Sequence, residues 1–242
     1  MTILSIDLAS RRYSDFGIAQ LEPGSVQPSF PAPEQLGLAG KPEPASCAQA
    51  IARYAAQEGV SVLLLDGPQG WKYPHSPIAH MRLCERVFNT PGRTGVPGHV
   101  KPRTYQGFIS FSIALFTQLR LEYGWALLEE AWELRSGQRW IVETFPSAAW
   151  RTLGLHKLPA KARTETSELG RFQTSLALAT GYQLPHPLSH DQLQAAVVLP
   201  AGEAIARKDS GGIVLAGFDP LPGPGDIVYE GWIVCPCRAA DR

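Results

Sequence analysis

The segment that decides the fold is "VSVLLLDGP", residues 60–68. It begins with a short run of apolar, mostly branched residues, Val60 to Leu65, which is typical of a strand buried on both faces of a parallel sheet. The run ends at Asp66, and the Gly-Pro pair that follows predicts a turn. The sequence therefore predicts a carboxylate at the carboxyl end of a central strand.

Two further apolar runs also end in an acid. Ile3 to Leu8 contains Asp7, and Trp140 to Glu143 closes on its own carboxylate. A helix predicted over Ser46 to Glu58 separates the first run from the central one, and such a unit favours a right-handed crossover between parallel neighbours. Parallel neighbours lie about 4.8 Å apart and end on one edge of the sheet, so acids at matched heights converge there.

A fourth acid, Asp191, opens a helix predicted from His190 to Ala206 and is placed to close this cluster. Carboxylates so close repel one another unless a cation lies between them, and hard oxygen ligands favour Mg²⁺ or Mn²⁺. Each acid alone also has a structural explanation, as a turn residue, a helix N-terminal acid or an acceptor for backbone amides. Turn chemistry does not explain why three buried strands end in this way. We therefore expect a catalytic metal site formed by Asp7, Asp66, Glu143 and Asp191.

Weaker patterns predict the remaining elements. Phe16 to Leu21 is predicted to form a hairpin with the first strand, and Val26 to Phe30 an edge strand. Apolar residues at helical spacing predict helices over Pro77 to Phe88, Gly107 to Glu122, Ala126 to Arg135 and Thr164 to Thr180. Short terminal strands are predicted at Ile213 to Ala216 and Gly231 to Val234.

Composition bounds the class of protein. The chain has 242 residues, 44% of them apolar, which suits one large domain or a domain with an insertion. Lys plus Arg equals Asp plus Glu at 22 each, which argues against a protein that coats nucleic acid but leaves room for a local basic groove. The four cysteines are scattered, and neither a signal-peptide pattern nor an apolar run of about 18 residues is present. We expect a cytoplasmic protein without a disulfide framework or a membrane partner.

Residues 82–103 provide such a local basic stretch, with five basic residues against Glu85 alone. Any one of these cations has an ordinary explanation as a solvated surface residue. Arg82 and Arg86 are better suited to bind phosphate, because they lie four residues apart on a predicted helix. A second basic cluster follows the Glu143 strand. The residues expected to contact substrate are Arg82, Arg86, Lys101, Arg103, Lys157 and Lys161.

Several of these segments together resemble a known family. The matching pieces are "SIDLA" at 5–9, "LLDGP" at 64–68, "RLCERVF" at 82–88, "ETFPSAAW" at 143–150, "HDQLQAAVVL" at 190–199 and "EGWIVCP" at 230–236. In this order and spacing they resemble the domain-of-unknown-function family 429, described as predicted ribonuclease H-like nucleases. The resemblance spans nearly the whole chain.

The resemblance implies an α/β, ribonuclease H-like fold with a five-stranded mixed sheet flanked by helices. Its first three strands would form an antiparallel meander. Residues 1–242 would be a single domain with an insertion at about 69–136. The implied activity is hydrolysis of phosphodiester bonds in nucleic acid by a two-metal mechanism, with Mg²⁺ or Mn²⁺ held by Asp7, Asp66, Asp191 and the further family acid Glu143. One departure stands out, because Gln194 occupies a position where the family often has a second helix acid, so one metal site would be weaker.

Two other functions stay open. A binding or scaffold domain could keep this fold and lose catalysis, which neutral overall charge and Gln194 favour and the strand-end acids oppose. An actin-like phosphotransferase is less favoured, because its Gly-rich hairpin should follow the first Asp. In "DLASRRYSDFG" the glycine, Gly17, already lies in the next strand, and the chain is too short for two such domains. The sequence predicts neither the oligomeric state nor whether the nucleic acid is DNA or RNA.

Overall fold

A computed structural model describes residues 1–238, which form a mixed α/β fold. Its strands are β1 (Thr2–Asp7), β2 (Gly17–Leu21), β3 (Val60–Asp66), β4 (Arg93–Thr94), β5 (Val100–Lys101), β6 (Ala126–Leu127), β7 (Trp140–Thr144), β8 (Ile213–Pro222) and β9 (Val228–Pro236). Its α-helices are α1 (Pro44–Gln57), α2 (Leu83–Phe88), α3 (Gln106–Tyr123), α4 (Pro146–Thr152), α5 (Thr166–Thr180), α6 (His190–Val197) and α7 (Leu199–Arg207).

One mixed sheet organises these elements, with the strand order β2-β1-β3-β7-β9-β8. The strands β1, β3, β7 and β9 run parallel, whereas β2 and β8 are antiparallel to their neighbours at the two edges. β6 also pairs with β7, so the sheet has seven strands in the described chain rather than the five expected. β4 and β5 form a separate hairpin. The predicted mixed sheet flanked by helices is confirmed, and the predicted strand count is wrong.

The expected antiparallel meander is reduced to β1, β2 and a single bridge. Gln20 and Ser29 exchange two backbone hydrogen bonds of 2.8 and 2.9 Å, but residues around Ser29 form no continuous strand. Pro28 and Pro31 flank the bridge, and proline has no N–H to extend a ladder of hydrogen bonds. The prediction of an edge strand over Val26 to Phe30 is therefore wrong.

The central strand is buried on both faces, as its sequence predicts. Val62 and Leu64 pack into an apolar cluster with the helices α4 to α7. Leu63 and Leu65 pack into a second cluster with α1 and α3 on the other face. This alternation means that even-numbered residues of β3, including Asp66, share the face that carries α6.

The predicted helix over Ala126 to Arg135 is wrong. Gly124 ends α3 with a left-handed backbone conformation, φ +68°. The next residues turn back to the sheet, where the Ala126 N–H donates to the Arg139 carbonyl at 3.0 Å and β6 pairs with β7. Only a short 3₁₀ turn follows, at Trp132–Leu134. Pairing with the sheet has overridden a helical pattern in the sequence.

The predicted helix over His190 to Ala206 is interrupted as expected, with α6 and α7 meeting at Val198 and Pro200 in the first turn of α7. The predicted helix over Pro77 to Phe88 is shorter and begins only at Leu83. Within residues 1–238, no helix combines the length and the apolar character that a membrane crossing requires.

Gly17 controls how closely α6 approaches the sheet. A Cβ at this position would lie 1.9 Å from the backbone oxygen of Asp191, the second residue of α6. We expect Gly17→Ala to lower the free energy of unfolding by about 1–3 kcal/mol, because backbone atoms must move to admit the methyl group. Urea denaturation followed by circular dichroism measures this change.

Gly107→Ala is the matched control for that substitution. Gly107 lies in α3 with open space around its missing Cβ, so alanine should leave stability unchanged or raise it by up to about 1 kcal/mol. Equal effects of the two substitutions would contradict a steric role for Gly17.

Candidate functional site

Asp7 and Asp66 are brought side by side at the carboxyl edge of the sheet. They are direct register partners in the parallel pairing of β1 with β3. Both follow the strand alternation onto the face that carries α6, since Ile3 and Leu64 pack there. Their carboxyl groups lie within hydrogen-bonding reach of each other. The juxtaposition expected from the sequence is therefore present for this pair.

The electrostatics of the pair are unfavourable to two negative charges. Withdrawal from water, then the charge of Asp66 and the hydrogen bond to it, raise the pKa of Asp7 well above its usual value, and the charge of Asp191 adds to the shift. Burial also raises the pKa of Asp66, although the hydrogen bond from Asp7 opposes this rise. The folded chain therefore favours one proton shared between two carboxyl groups.

Asp191 joins this pair through the position of α6. Ser189 caps the helix, accepting a hydrogen bond from the Gln192 N–H at 3.2 Å. The first turn of the helix packs on β2 at Gly17, which is the register partner of Asp7. Close approach at this glycine brings the charge of Asp191 near enough to act on Asp7.

Asp191 already has cationic partners within the chain. Lys161 Nζ donates to its Oδ2 at 2.5 Å and to Asp15 Oδ1 at 3.3 Å. His190 Nδ1 lies 3.2 Å from Asp191 Oδ1. Although burial acts to raise the pKa of Asp191, hydrogen bonds from His190 and Lys161 hold it below its usual value. Lys161 is thus an internal counter-ion to the acids, a role that differs from the expected contact with substrate.

Glu143 lies one residue short of the acid pair in the register of β7, although its charge still acts to raise the pKa of Asp66. The residue level with Asp66 is Thr144, and Glu143 is level with Leu65 on the opposite face. Its buried carboxylate accepts hydrogen bonds from both terminal nitrogens of Arg82, at 2.6 and 2.8 Å, and from the Gln69 N–H at 2.9 Å. This is a correction to the expected ligand set, because the carboxylate of Glu143 is occupied by a guanidinium.

Arg82 also differs from its expected role. Its side chain is 0% exposed, and its guanidinium contacts Glu85 at 3.1 Å in addition to Glu143. Its Nε donates to Thr94 Oγ1 at 3.0 Å. A group with no exposed surface and carboxylates on both sides does not contact a phosphate. The structure instead makes Arg82 the link between α2, β4 and β7.

Gln194, which stands where the sequence resemblance implies an acid, has a structural role. Its Oε1 accepts a hydrogen bond of 2.8 Å from the indole N–H of Trp150, a side chain that is fully buried. The amide therefore satisfies a polar group that α4 would otherwise bury without a partner. Gln194 contributes to packing of α4 on α6 rather than to the acid cluster.

The other predicted basic residues lie on the surface. Arg86, Lys101, Arg103 and Lys157 are exposed and form no ion pair within residues 1–238. Lys101 is the cross-strand partner of another exposed cation, Arg93, in the β4–β5 hairpin. Like charges directly opposite each other are unfavourable without an anion between them. The hairpin therefore presents a concentrated positive charge.

The residues fit a cation only in part. Asp7 and Asp66 supply adjacent hard oxygen donors whose repulsion a divalent ion relieves. Asp191 is paired with Lys161 and Glu143 with Arg82. Across residues 1–238, no group of three or more His, Cys, Asp or Glu side chains is arranged to hold a metal ion. The Asp7–Asp66 pair suits one bridging ion, whereas the expected four-acid site for two ions does not form.

Sequence reasoning missed Thr144. Its Oγ1 is buried and has no hydrogen-bond partner among residues 1–238, and the residue lines a cavity of about 270 Å³ together with Asp66. No sequence pattern marks this position, because the register that sets Thr144 level with Asp66 depends on the pairing of strands distant in the chain.

Comparison with solved structures finds chains of Thermus thermophilus RuvC. One, described as the T. thermophilus RuvC structure, has a TM-score of 0.40 at 11% identity and covers 90% of this chain and 99% of that chain. Another is T. thermophilus RuvC in complex with a Holliday junction substrate, with a TM-score of 0.40 at 10% identity over 90% of this chain and 98% of that chain. No family model and no curated protein matches the chain. The resemblance of the sequence motifs thus has no family match behind it.

The buried Arg82 network predicts a large effect on stability. We expect Arg82→Met to lower the free energy of unfolding by about 3–5 kcal/mol, because it leaves two buried carboxylates without their cation. Arg86→Met, at an exposed position of the adjoining helix α2, should change it by less than about 0.5 kcal/mol. Chemical denaturation of both variants checks this, and similar losses from the two would contradict the structural role of Arg82.

The acid pair predicts a pH dependence of stability. The folded pKa of Asp7 is raised, so as pH rises above the unfolded value of about 3.9 the unfolded chain releases a proton that the folded chain retains. Wild-type stability therefore falls with rising pH in this window. Asp7→Asn removes this loss, and it should be more stable than wild type by more than about 1 kcal/mol at pH 8 and little different near pH 4.

Asp226→Asn is the control for the pH experiment, because Asp226 is exposed in the turn between β8 and β9. Denaturation curves from pH 4 to pH 8 should superimpose for this variant and wild type. If the curves of Asp7→Asn also superimposed on those of wild type, the Asp7–Asp66 pair would carry no unfavourable charge.

Proposed function

We propose that this chain is a metal-dependent phosphodiesterase that acts on nucleic acid at the edge formed by Asp7, Asp66 and Asp191. The observation that supports it is the Asp7–Asp66 pair, two acids at equal height on adjacent parallel strands with raised pKa values. Groups with strongly perturbed pKa values and a specific charged partner at the carboxyl edge of a sheet are characteristic of reactive sites.

In the proposed centre, Asp7 and Asp66 would hold one Mg²⁺ or Mn²⁺ ion. Such an ion, when bound, polarises a phosphoryl oxygen and lowers the pKa of water. The role of the pair is to lose its shared proton and bind through charged oxygens. Asp191 lies beside Asp7 and pairs with Lys161, and it would serve there as a proton acceptor or as a further ligand. This centre is smaller than the two-metal site implied by the sequence resemblance.

The charge around this edge suits a polyanionic substrate. Arg93 and Lys101 face each other on the β4–β5 hairpin, and Arg103 follows in the next turn. Their charges have no acidic partner within residues 1–238, so phosphate groups would relieve their mutual repulsion. Arg86 and Lys157 remain candidates for further phosphate contacts, whereas Arg82 does not.

One observation favours the alternative of a binding domain without catalysis. Lys161 neutralises Asp191 and also acts on Asp7, so the chain supplies part of the positive charge that a metal would supply. A domain that has lost catalysis could keep its acids in this form. Metal binding and cleavage decide between the two functions.

Calorimetry with Mn²⁺ tests the proposed centre. Wild type should bind Mn²⁺, and Asp7→Asn should bind it at least about tenfold more weakly, since one of two bridging carboxylates is lost. Lys161→Met should bind Mn²⁺ more tightly than wild type because a competing cation is removed. Lys157→Met, which changes an exposed lysine without an ion pair in the described chain, should bind like wild type.

Cleavage assays complete the test. Labelled single-stranded, duplex and branched oligonucleotides are incubated with Mn²⁺ and either wild type or Asp66→Asn. Cleavage by wild type that the variant loses supports the phosphodiesterase. Absence of cleavage together with Mn²⁺ binding equal in wild type and Asp7→Asn would reject the function and leave the binding domain.

A further inference from the structure

A cavity of about 270 Å³ lies beside Asp66 and is not used by the proposed metal centre. Its wall is mainly apolar and includes the half-buried rings of Tyr105, Phe108 and Phe145. Its size lies close to the lower end of the range for small-molecule sites, about 300 Å³. The cavity is therefore large enough for one planar group rather than for a peptide or a helix.

Backbone geometry brings the aromatic rings to the acid. Gly67 follows Asp66 with φ +147°, and a Cβ there would lie 2.5 Å from Ser112 Oγ and 3.2 Å from the ring of Phe108. Only glycine allows α3 to pack this closely on the end of β3. The first turn of α3 thereby becomes one side of the cavity.

One polar group in the wall has no partner. Thr144 is 2% exposed, and its hydroxyl oxygen forms no hydrogen bond with residues 1–238. Leaving a buried hydroxyl unpaired costs about 1–3 kcal/mol, so such a group points to a ligand that pairs with it. It lines the cavity next to Asp66, its register partner on β3.

Charge determines which part of a nucleotide can enter. The ionisable groups in the wall are Asp66, Glu85, Glu143 and Arg82, three acids against one cation. A phosphate would be repelled from such a wall, and the exposed cations Lys101 and Arg103 lie on the surface segment that leads to Tyr105. The cavity thus suits an uncharged group with apolar faces and polar edges, while the cations suit the phosphates that flank it.

We propose that this cavity binds one unstacked nucleobase, held between Tyr105, Phe108 and Phe145 with an edge hydrogen-bonded to Thr144, while the flanking phosphates lie towards Lys101 and Arg103. The inference rests on the proposed function for its choice of ligand, and it adds a base-binding site to the acid pair. Because aromatic rings stack on every base, selectivity among bases comes only from the edge contacts. The shared chemistry is that of a nucleobase, whether it belongs to a strand or to a free nucleotide.

The test uses trinucleotides that differ in a single base. One carries 2-aminopurine between two abasic residues, and the other is abasic throughout, so that both have the same phosphates. Binding is measured in EDTA, where cleavage cannot interfere, by fluorescence of 2-aminopurine and by competition. We expect the base to improve affinity about tenfold or more and its fluorescence to be quenched on binding.

Variants locate the base in the cavity. Phe108→Ala removes one ring of the wall, and Thr144→Val removes the hydroxyl while keeping the shape. Each should reduce the tenfold advantage of the base, and Thr144→Val should do so without loss of thermal stability because its hydroxyl has no partner to lose. Phe218→Ala, at an aromatic residue 53% exposed on β8, should leave the advantage unchanged.

The outcomes separate this inference from the proposed function. Equal affinity of the two trinucleotides, or a base advantage that survives in both cavity variants, overturns the base site even if the protein cleaves nucleic acid. A base advantage lost in those variants supports the site even if no cleavage is seen. Competition by 2-aminopurine riboside at the affinity of the trinucleotide supports the site with a free nucleoside as its source.

Discussion

The parallel pairing of β1 with β3 forces two carboxyl groups into contact, and the surrounding structure adjusts to that repulsion. Val60 to Leu65 is covered by helices on both faces and paired along one edge with β1, and the register of that pairing sets Asp7 level with Asp66. Two features reduce this repulsion: a proton is favoured between the two carboxyl groups, and the charge of Lys161, which pairs with Asp191 from the surface, also acts on Asp7. Neither removes the repulsion, which a bound cation would relieve.

A second group of buried charges, around Arg82, is instead paired by opposite charges and hydrogen bonds. Arg82 and Glu143 meet through two short hydrogen bonds, and Glu85 and Thr94 complete the set. Burying such ions is costly, but satisfied partners on every side make the cluster rigid. At the same edge of the sheet, the charges around Arg82 compensate one another and hold the wall of the cavity. The negative charges of Asp7 and Asp66 are not compensated in this way. Uncompensated charge of this kind is expected at functional sites.

Sequence patterns predict the β1–β2 hairpin, the buried central strand and the Asp7–Asp66 pair, because each depends on local alternation and on the carboxyl-edge rule. The mixed sheet as a whole is implied only by the resemblance to a family. The patterns could not predict that Glu143 lies one residue short of Asp66, since register depends on contacts between strands distant in sequence. Arg82 was misassigned for a related reason. A charged residue reads as exposed unless its buried partners, here from β7 and α2, are known. Likewise, residues 126 and 127 lie in a helical sequence pattern but form β6, because β7 provides hydrogen-bond partners for their backbone.

Overall neutrality and local charge separation are consistent with selective rather than general binding of nucleic acid. Charges separated by more than about 10 Å are largely screened at 0.1 M salt, so only the cations near the acid edge act on a phosphate bound there. A hairpin with Arg93 and Lys101, followed by Arg103, offers few phosphate contacts and hence a modest electrostatic attraction. In the proposed function, these few cations would supply only part of the affinity for nucleic acid. A cavity that accepts one base would then supply the missing affinity, and it would favour strands whose bases are already unstacked.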